Sequence, residues 1–428
     1  MKDQSPLVPT RYFMVGGTFL LAMLVLVDRA CISVAKEPMT AALGLTDGQF
    51  GWIMSIFALG YALFQAPAGY AADKFGPRKV LTIVVAVWSL FTALTGMVVN
   101  FFSLIVVRFL FGMGEAGAFP GIAKMIYSWI PVKERGVVNG INFSGGRLGA
   151  AFSLPLLAVL METYGWRMSF LILGGIGIVW AVIWYLLFRD EPNEHPFTSE
   201  TEKEEIIANR VIEDSGVNGA PRDQISTSVL LGSKNMWLAA GQYFCSNFTF
   251  FFCLTWLFPH LKEQFDLSNV EAGFYASIPL ICGAAGNVIS GLLVDSIYKR
   301  GSWRWSRSAV AIAGFALAAI GLVSSLFMND ILTAIICLSV AVFGADMTLS
   351  PSWTFCVDIG KNNSGLVSGT MNMAGNLGSF LTALAFPYLK TWTGSVTPFF
   401  YLGAALNVVA ILIWLNMKPE EGLKKTFD

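Results

Sequence analysis

Apolar stretches of about 20 residues recur along nearly the whole chain, and few charged residues interrupt them. A transmembrane helix needs about 20 predominantly apolar residues. Only 13% of the 428 residues are charged, whereas soluble domains carry about 25%. A chain with so few charges cannot cover a water-facing surface, so the sequence predicts an all-α membrane protein.

The positions of the apolar stretches predict twelve transmembrane helices in two sets of six. Between the sets lies one long polar stretch, in which a short surface helix is predicted at 199–213. The predicted domains are a six-helix bundle at 1–188, a cytoplasmic linker at 189–234 and a second six-helix bundle at 235–428. The predicted helices are 12–35, 47–72, 79–99, 102–127, 136–160 and 167–188, then 235–261, 269–296, 306–328, 331–356, 364–389 and 397–417.

The distribution of Lys and Arg predicts the orientation of these helices. If the N-terminus is cytoplasmic, 20 of the 28 Lys and Arg residues fall on the cytoplasmic side and four fall outside. Cytoplasmic loops of membrane proteins carry an excess of positive charge. The bias favours a multi-pass protein of the inner (plasma) membrane with both termini in the cytoplasm.

Cysteine and histidine residues give no sign of metal or catalytic chemistry. The six cysteines lie in apolar runs without a CxxC pair, and His195 and His260 lack a carboxylate or cysteine at metal spacing. No nucleophile–base set or cofactor motif is visible, and the formal net charge is zero. We therefore expect no enzyme activity, no metal, no cofactor and no nucleic-acid partner.

Two glycine patterns repeat between the halves of the chain. The segments GVVNGINFSGGRLG and GLVSGTMNMAGNLG begin at Gly136 and Gly365, and four glycines match between them at a constant offset of 229. A second repeat relates Gly69-x-x-x-Asp73 to Gly291-x-x-x-Asp295. Parallel repeats around a central cavity are one known transporter plan. Such glycines also simply allow helices to pack closely.

Four ionisable residues lie inside the predicted bilayer in the first half: Asp28 and Arg29 in helix 1, and Arg108 and Glu115 in helix 4. Charges at this depth are costly and are usually functional. Low-dielectric surroundings favour the neutral form of a carboxyl group, so Glu115 is expected to take up and release a proton. The alternatives are a structural ion pair in helix 1 and a packing hydrogen bond from Glu115.

A fifth charge, Arg147, lies in the middle of helix 5. Its guanidinium offers a bidentate site for a substrate carboxylate, or it bonds a facing carbonyl or reaches the membrane edge. The second half offers mainly neutral hydrogen-bonding groups instead, and Asp346 is the main exception among them. The candidate neutral residues are Tyr61 of helix 2 and, in the second half, Ser350, Trp353, Asn372 and Asn376.

The predicted cytoplasmic loop between helices 2 and 3, GYAADKFGPRKV, contains an ordered motif. Gly69 allows close helix packing, and Asp73 can cap the N-terminus of a facing helix. Gly76 makes a tight turn, and Arg78 and Lys79 keep the loop on the cytoplasmic side. The motif predicts a latch that stabilises one of two access states. The alternative is a short basic loop that only follows the charge bias.

The loop motif, the matched glycines and the twelve spans resemble the major facilitator superfamily over essentially the whole chain. Within that superfamily, the segments DRACISVA and VRFLFGMGEAGAFP and the region of Asn372 are similar to the anion:cation symporter family. That family includes bacterial sugar-acid and hexuronate transporters and the vertebrate sialic-acid and vesicular glutamate carriers.

The resemblance implies roles for several residues. Asp28 and Glu115 match positions that bind protons, and Arg29 and Arg108 match basic positions with substrate or gating roles. One departure lies in helix 5, where galactonate-type members have a glutamine and this chain has Gly146 followed by Arg147. The positions that contact the sugar acid in those members match Tyr61, Ser350, Trp353 and Asn372.

The expected function is proton-coupled symport that imports a small organic anion, a sugar acid such as a hexuronate or hexonate, by alternating access. The expected partners are this anion, protons and the lipid bilayer, and the expected state is a monomer. An alternative is an exporter or antiporter of a metabolite or drug on the same fold. An alternative of another class is a membrane sensor that binds a ligand without transporting it.

Overall fold

The computed structural model describes residues 9–214, 227–267 and 269–423, and these residues contain helices and turns but no strand. The all-α prediction is therefore confirmed. The first helices are α1 (Thr10–Val34), α2 (Lys36–Leu43), α3 (Asp47–Phe75), α4 (Pro77–Thr95), α5 (Phe101–Glu115), α6 (Ala118–Trp129), α7 (Arg135–Leu187) and α8 (Glu200–Asp214). The later helices are α9 (Thr227–Gly232), α10 (Lys234–Thr255), α11 (Leu257–Gln264), α12 (Asn269–Lys299), α13 (Trp303–Ser325), α14 (Ile331–Met347), α15 (Leu349–Gly360), α16 (Ser364–Thr393) and α17 (Thr397–Asn416).

Nine helical stretches within the described residues are long and apolar enough to cross a membrane. One of them, Ile331–Thr393, contains two of the predicted spans. The predicted spans 136–160 and 235–261 are not among the nine. The nine are a count within the described residues and not a count of all the spans of the chain.

Several predicted helix boundaries differ from those in the structure. Predicted helix 4 is broken after Glu115 into α5 and α6, and predicted helix 10 is broken at Thr348 into α14 and α15. The predicted loop between helices 5 and 6 shrinks to a kink at Gly165, whose φ of 75° requires a residue without a Cβ atom. In the linker, α8 occupies the predicted surface helix, while residues 215–226 lie outside the described residues.

The described residues divide into two compact units. α7 begins in the second unit and continues in the first, and α16 begins in the first and continues in the second. The predicted division into 1–188, 189–234 and 235–428 stays a prediction about the two repeats. The first unit draws on Met1–Val132, Leu148–Ile225 and Gly360–Thr370, and the second draws on Lys133–Arg147, Ser226–Ile359 and Met371–Asp428.

Each unit has its own apolar core. In the first unit Cys31 and Ile32 of α1 pack with Ile53, Leu104 and Phe170. The packing of these side chains fixes the rotation of α1 about its axis, because a rotated helix would lose their van der Waals contacts. The rotation of α1 in turn determines where the neighbouring Asp28 and Arg29 point. The second core is rich in aromatic residues, including Phe248, Phe252, Phe386, Phe399 and Phe400.

Candidate functional site

The first unit brings together the four buried charges that the sequence singles out. Arg29 of α1 donates from Nε to Oε1 of Glu115 at 2.8 Å. Glu115 is the last residue of α5, and its side chain is 1% exposed, while that of Arg29 is 28% exposed. The ion pair therefore joins α1 to the broken helix, with the arginine on the more accessible side.

Asp28 binds a different partner from its neighbour Arg29. The indole Nε1 of Trp88 in α4 donates to Oδ2 of Asp28 at 3.0 Å, and the Thr92 hydroxyl of the same helix donates to the carbonyl oxygen of Trp88 at 3.1 Å. Adjacent residues point about 100° apart on a helix, so the two charges can face different helices. The sequence does not identify Trp88, although a buried indole N–H usually finds a partner.

Arg108 is 2% exposed and lies on aromatic surfaces. Its guanidinium carbon is 5.0 Å from the ring centroid of Phe57 and 4.6 Å from that of Phe111. It also interacts electrostatically with Glu115 and Asp28. The aromatic faces and the two carboxylates together stabilise a charge that this apolar interior would otherwise disfavour.

Arg29 also contacts the predicted substrate residue Tyr61. The guanidinium carbon of Arg29 is 4.4 Å from the centroid of the Tyr61 ring, and the two side chains interact electrostatically. Tyr61 is 4% exposed and packs next to Phe57. The predicted residues of α1, α3 and α5 thus form one charged and aromatic cluster.

The cluster retains unused hydrogen-bonding capacity. Among the described residues, Oε2 of Glu115, Nη2 of Arg29 and Nε of Arg108 are buried without a hydrogen-bond partner. Buried polar atoms are nearly always bonded, and an exception calls for a proton, an ion, a water or a ligand. This arrangement can accept a proton at the carboxylate and offer N–H donors to an anion.

The second unit contains another buried ion pair, formed by Arg147 of α7 and Asp346 of α14. Nε of Arg147 donates to Oδ2 of Asp346 at 2.9 Å, and Nη2 donates to Oδ1. The bidentate site that the sequence predicts for a substrate carboxylate is thus occupied here by a carboxylate of the chain. The sequence identifies Asp346 as a buried charge but not as the partner of Arg147.

The predicted neutral contacts of the second half also bind protein groups. Ser350 donates to the carbonyl oxygen of Gly136 at 2.7 Å, and Nε1 of Trp353 donates to the Tyr243 hydroxyl at 2.8 Å. Nδ2 of Asn376 donates to the carbonyl oxygen of Asn372 at 2.8 Å. Their assignment as substrate contacts stays a prediction. Tyr243 is a further polar residue of this region that the sequence does not single out.

Asp73 of the loop motif caps the start of α16. Its Oδ1 accepts from the backbone N–H of Gly365 at 2.9 Å, and its Oδ2 accepts from that of Leu366 at 2.7 Å. Nζ of Lys124 lies 3.9 Å from Oδ1 of Asp73. A carboxylate at this position pairs with otherwise unbonded N–H groups and with the positive end of the helix dipole.

The rest of the loop motif shapes the turn after α3. Gly76 has a φ of 84°. Two residues later, the backbone N–H of Arg78 donates to Oδ1 of Asp190 at 2.8 Å. A Cβ atom on Gly69 would overlap the backbone of Gly365, so the glycine permits a close approach. Lys79 is exposed. The latch role of these residues stays a prediction.

The second glycine repeat has a matching cap in the second unit. Asp295 of α12 accepts from the backbone N–H of Gly136 at 2.9 Å and from that of Val137 at 2.7 Å, at the start of α7. Asp295 corresponds to Asp73 in one glycine repeat, and the segment that it caps, which begins at Gly136, corresponds in the other repeat to the segment that begins at Gly365. Nearby, Asp358 binds Arg135 at 3.1 Å and Arg307 at 3.0 Å.

A family model and a solved structure identify the fold. The model described as Major Facilitator Superfamily matches residues 18–383. The chain belongs to the major facilitator superfamily. Its structure is similar to that of the proton:xylose symporter XylE bound to 6-bromo-6-deoxy-D-glucose, with a TM-score of 0.75, 16% identity and coverage of 97% of each chain. The predicted twelve-helix fold in two six-helix bundles is confirmed.

Two relatives of this facilitator are named as transporters. The chain is 34% identical over 409 residues to the probable sulfoacetate transporter SauU of Cupriavidus necator, covering 94% of this chain and 93% of that protein. It is 32% identical over 397 residues to the probable galactarate/D-glucarate transporter GarP of Escherichia coli, covering 89% and 88%. This facilitator is a multi-pass membrane transporter and not an enzyme.

Proposed function

We propose that this facilitator is a proton-coupled symporter that imports a small organic anion, a sugar acid such as a hexuronate or hexonate, by alternating access. The observation that carries the proposal is the Arg29–Glu115 ion pair, with Asp28 and Arg108 in electrostatic range. Two acids and two guanidinium groups in one apolar unit provide sites for protons and for an anion. The names of the relatives, which refer to organic acids, support an anionic substrate.

The incomplete bonding of Glu115 suggests how proton and anion binding are coupled. Protonation of Glu115 removes the negative charge that binds Arg29, so the guanidinium can bind the carboxylate of a substrate. Asp28 is the second proton-binding residue, and the Tyr61 ring, which the Arg29 guanidinium contacts, orients Arg29. Each ligand then favours the binding of the other, as thermodynamic linkage requires.

The remaining predicted residues have supporting roles in this proposal. Ser350, Trp353, Asn372 and Asn376 exchange protein partners for oxygen atoms of the substrate during transport, and Arg147 donates to a substrate oxygen from the N–H groups that Asp346 does not use. The latch consists of Gly69, Asp73, Gly76, Arg78 and Lys79, and the Asp73 cap on α16 supports its role in stabilising one access state.

The proposed location is the inner (plasma) membrane, with both termini in the cytoplasm and the chain acting as a monomer. The excess of Lys and Arg in the predicted cytoplasmic segments supports this orientation. The polar stretch 189–234 then lies in the cytoplasm between two six-helix bundles at 1–188 and 235–428.

Uptake into proteoliposomes under an imposed pH gradient tests the proposal. The wild type is expected to accumulate a hexuronate or hexonate uphill when the exterior is acidic. Glu115→Gln is expected to lose uphill accumulation while it retains exchange of labelled for unlabelled substrate. Glu263→Gln is the control, because Glu263 is an exposed residue whose surface ion pair with Lys390 contributes little to stability.

Three outcomes would contradict the proposal. Uphill accumulation by Glu115→Gln would exclude the proton role of that residue. A wild type that neither accumulates nor exchanges any hexuronate, hexonate or dicarboxylate would exclude import of this class of anion. Proton movement out of the vesicles during substrate entry would instead indicate an antiporter.

A further inference from the structure

The Arg147–Asp346 pair is buried and fully bonded on the carboxylate side. Both oxygens of Asp346 accept hydrogen bonds from the guanidinium, and the Asp346 side chain is 1% exposed. The Arg147 side chain is 11% exposed, and its Nη1 makes no hydrogen bond within the described part of the chain. Asp346 therefore occupies the Nε–Nη2 edge of the guanidinium and neutralises its charge, and the N–H groups that remain are the two on Nη1 and one on Nη2.

The residues around the Arg147–Asp346 pair leave space for the Asp346 carboxylate. The guanidinium carbon of Arg147 lies 3.9 Å from the ring centroid of Phe250. Asp346 lies against Gly283 of α12, where an added Cβ atom would overlap the carboxylate. A glycine at this point of a membrane helix lets the carboxylate reach Arg147, so the backbone itself accommodates the pair.

Asp346 and Glu115 occupy similar places in the two halves. Glu115 is the last residue of α5, and Asp346 is the second-last residue of α14, directly before the break in each predicted helix. Each carboxylate binds an arginine of another helix. Only Glu115 retains an oxygen without a partner. The two carboxylates thus have similar positions in their helices, but only Glu115 has an oxygen atom available for a further hydrogen bond.

We infer that Asp346 is a specificity-determining residue that occupies the acid-binding side of Arg147 and thereby disfavours substrates with a second acid group. The inference rests on the proposed function, since it concerns the substrate that the transporter accepts. It adds a residue and a charge preference to that proposal.

The inference follows from the chemistry of the guanidinium. An acid group that approaches the remaining N–H groups of Arg147 meets the like charge of Asp346, and one that approaches the Nε–Nη2 edge must displace two charge-assisted hydrogen bonds. A substrate hydroxyl can accept from Nη1 without displacing either bond. Removal of the Asp346 charge, with Arg147 retained, converts the same place into a receptor for a carboxylate or sulfonate.

Formate provides a direct probe of this receptor in the purified full-length protein. In Asp346→Asn, formate is expected to bind Arg147 in place of the lost carboxylate and to raise the melting temperature, as any ligand specific for the native state does. The wild type and the double variant Arg147→Gln/Asp346→Asn are expected to show no such rise. Chloride at the same ionic strength controls for salt effects.

Transport of matched substrates measures the specificity itself. D-gluconate and D-glucarate share a six-carbon polyol chain and carry one and two acid groups. The ratio of kcat/KM for glucarate to that for gluconate is expected to rise about tenfold or more in Asp346→Asn, as close charge pairs couple by at least this amount. The double variant Arg147→Gln/Asp346→Asn should return the ratio toward the wild-type value.

Gly283→Ala is the alternative if Asp346→Asn does not fold. Its Cβ atom displaces the carboxylate from Arg147 while both charges remain, so the ratio is expected to rise in the same direction. An unchanged ratio in the variant that folds, or equal stabilisation of wild type and variant by formate, would overturn the inference. Failure of the proposed function is distinguishable, because the wild type would then transport neither acid while the formate effect persists.

Discussion

The two units each contain one buried arginine–carboxylate pair, and the pairs differ in how completely they are bonded. Arg29 makes a single hydrogen bond to Glu115, and both partners retain an unbonded buried atom among the described residues. Arg147 makes two hydrogen bonds to Asp346, and both carboxylate oxygens are used. The arginine of the first pair is also the more exposed, at 28% against 11%.

This difference separates two uses of a buried ion pair. A pair with unbonded atoms can gain a proton or an anion without first losing all its own hydrogen bonds. In a fully bonded pair the carboxylate must lose a hydrogen bond before it can bind a proton or another donor, and an unpaired buried charge is costly. We therefore expect substitutions in the first pair to impair transport and substitutions in the second to impair stability and substrate selection.

The largest expected effect is the loss of stability in Arg147→Gln. Removal of one partner leaves Asp346 buried without its counter-ion, which costs about 3–5 kcal/mol. The measurement is the melting temperature of the detergent-solubilised protein without substrate. The double variant Arg147→Gln/Asp346→Asn is the control and should recover most of the loss. A smaller loss in Arg147→Gln than in Arg29→Gln would break the comparison.

The second effect is the loss of transport in Arg29→Gln. Removal of a charge-assisted donor to Glu115 and to the substrate is expected to lower kcat/KM for uptake by about 100-fold, since such hydrogen bonds contribute about 1.5–3 kcal/mol. The melting temperature should fall less than in Arg147→Gln, because Arg29 is partly exposed. Arg29→Lys, which retains the charge, should recover part of the uptake.

The first pair is easier to predict from the sequence than the second. Asp28, Arg29, Arg108 and Glu115 stand out because charges are rare inside apolar stretches. Spacing along one helix places Arg108 and Glu115 on the same face. Their actual partners depend on contacts between helices far apart in sequence, which periodicity does not encode. For this reason the sequence reveals the members of the cluster but not the Arg29–Glu115 bond.

The second pair shows what limits prediction of a site. Arg147 and Asp346 are both visible as buried charges, but they lie 199 residues apart. Their pairing depends on the helix break at Thr348 and on the space left by Gly283. The twelve spans were predictable because hydrophobic length alone defines them. The breaks were missed although each has a signal in the sequence, because Pro120 and Pro351 lie in the first turn of α6 and α15 and cannot donate to the carbonyl oxygens of Ala116 and Met347.

The third effect concerns the hydrogen bond from Trp88 to Asp28, which lies outside the Arg29–Glu115 pair. Trp88→Phe removes the indole N–H that donates to Asp28 and preserves most of the buried ring. Uptake is expected to fall by about tenfold, in line with one lost hydrogen bond to a charged acceptor. Trp180→Phe is a matched control, because its indole donates to the carbonyl oxygen of Gly17 instead of a carboxylate. Equal losses in the two variants would show that Asp28 has no special role.

The smallest effect tests the two caps, one in each unit, that are related by the glycine repeats. Asp73→Asn and Asp295→Asn each replace a carboxylate that accepts two backbone N–H groups with an amide that can accept them at one oxygen only. We expect each variant to lose about 1 kcal/mol of stability, measured as a fall in melting temperature.

Asp330→Asn is the control, since Asp330 caps its own helix α14 through one hydrogen bond, from Thr333, and asparagine caps equally well there. The caps differ in their nearby cations, because Nζ of Lys124 lies 3.9 Å from Asp73 and would face an uncharged amide in Asp73→Asn, whereas Lys299 and Arg307 interact electrostatically with Asp295. A larger loss for Asp73 than for Asp295 would therefore assign the difference to this lysine, and Lys124→Met in the Asp73→Asn background should then remove it.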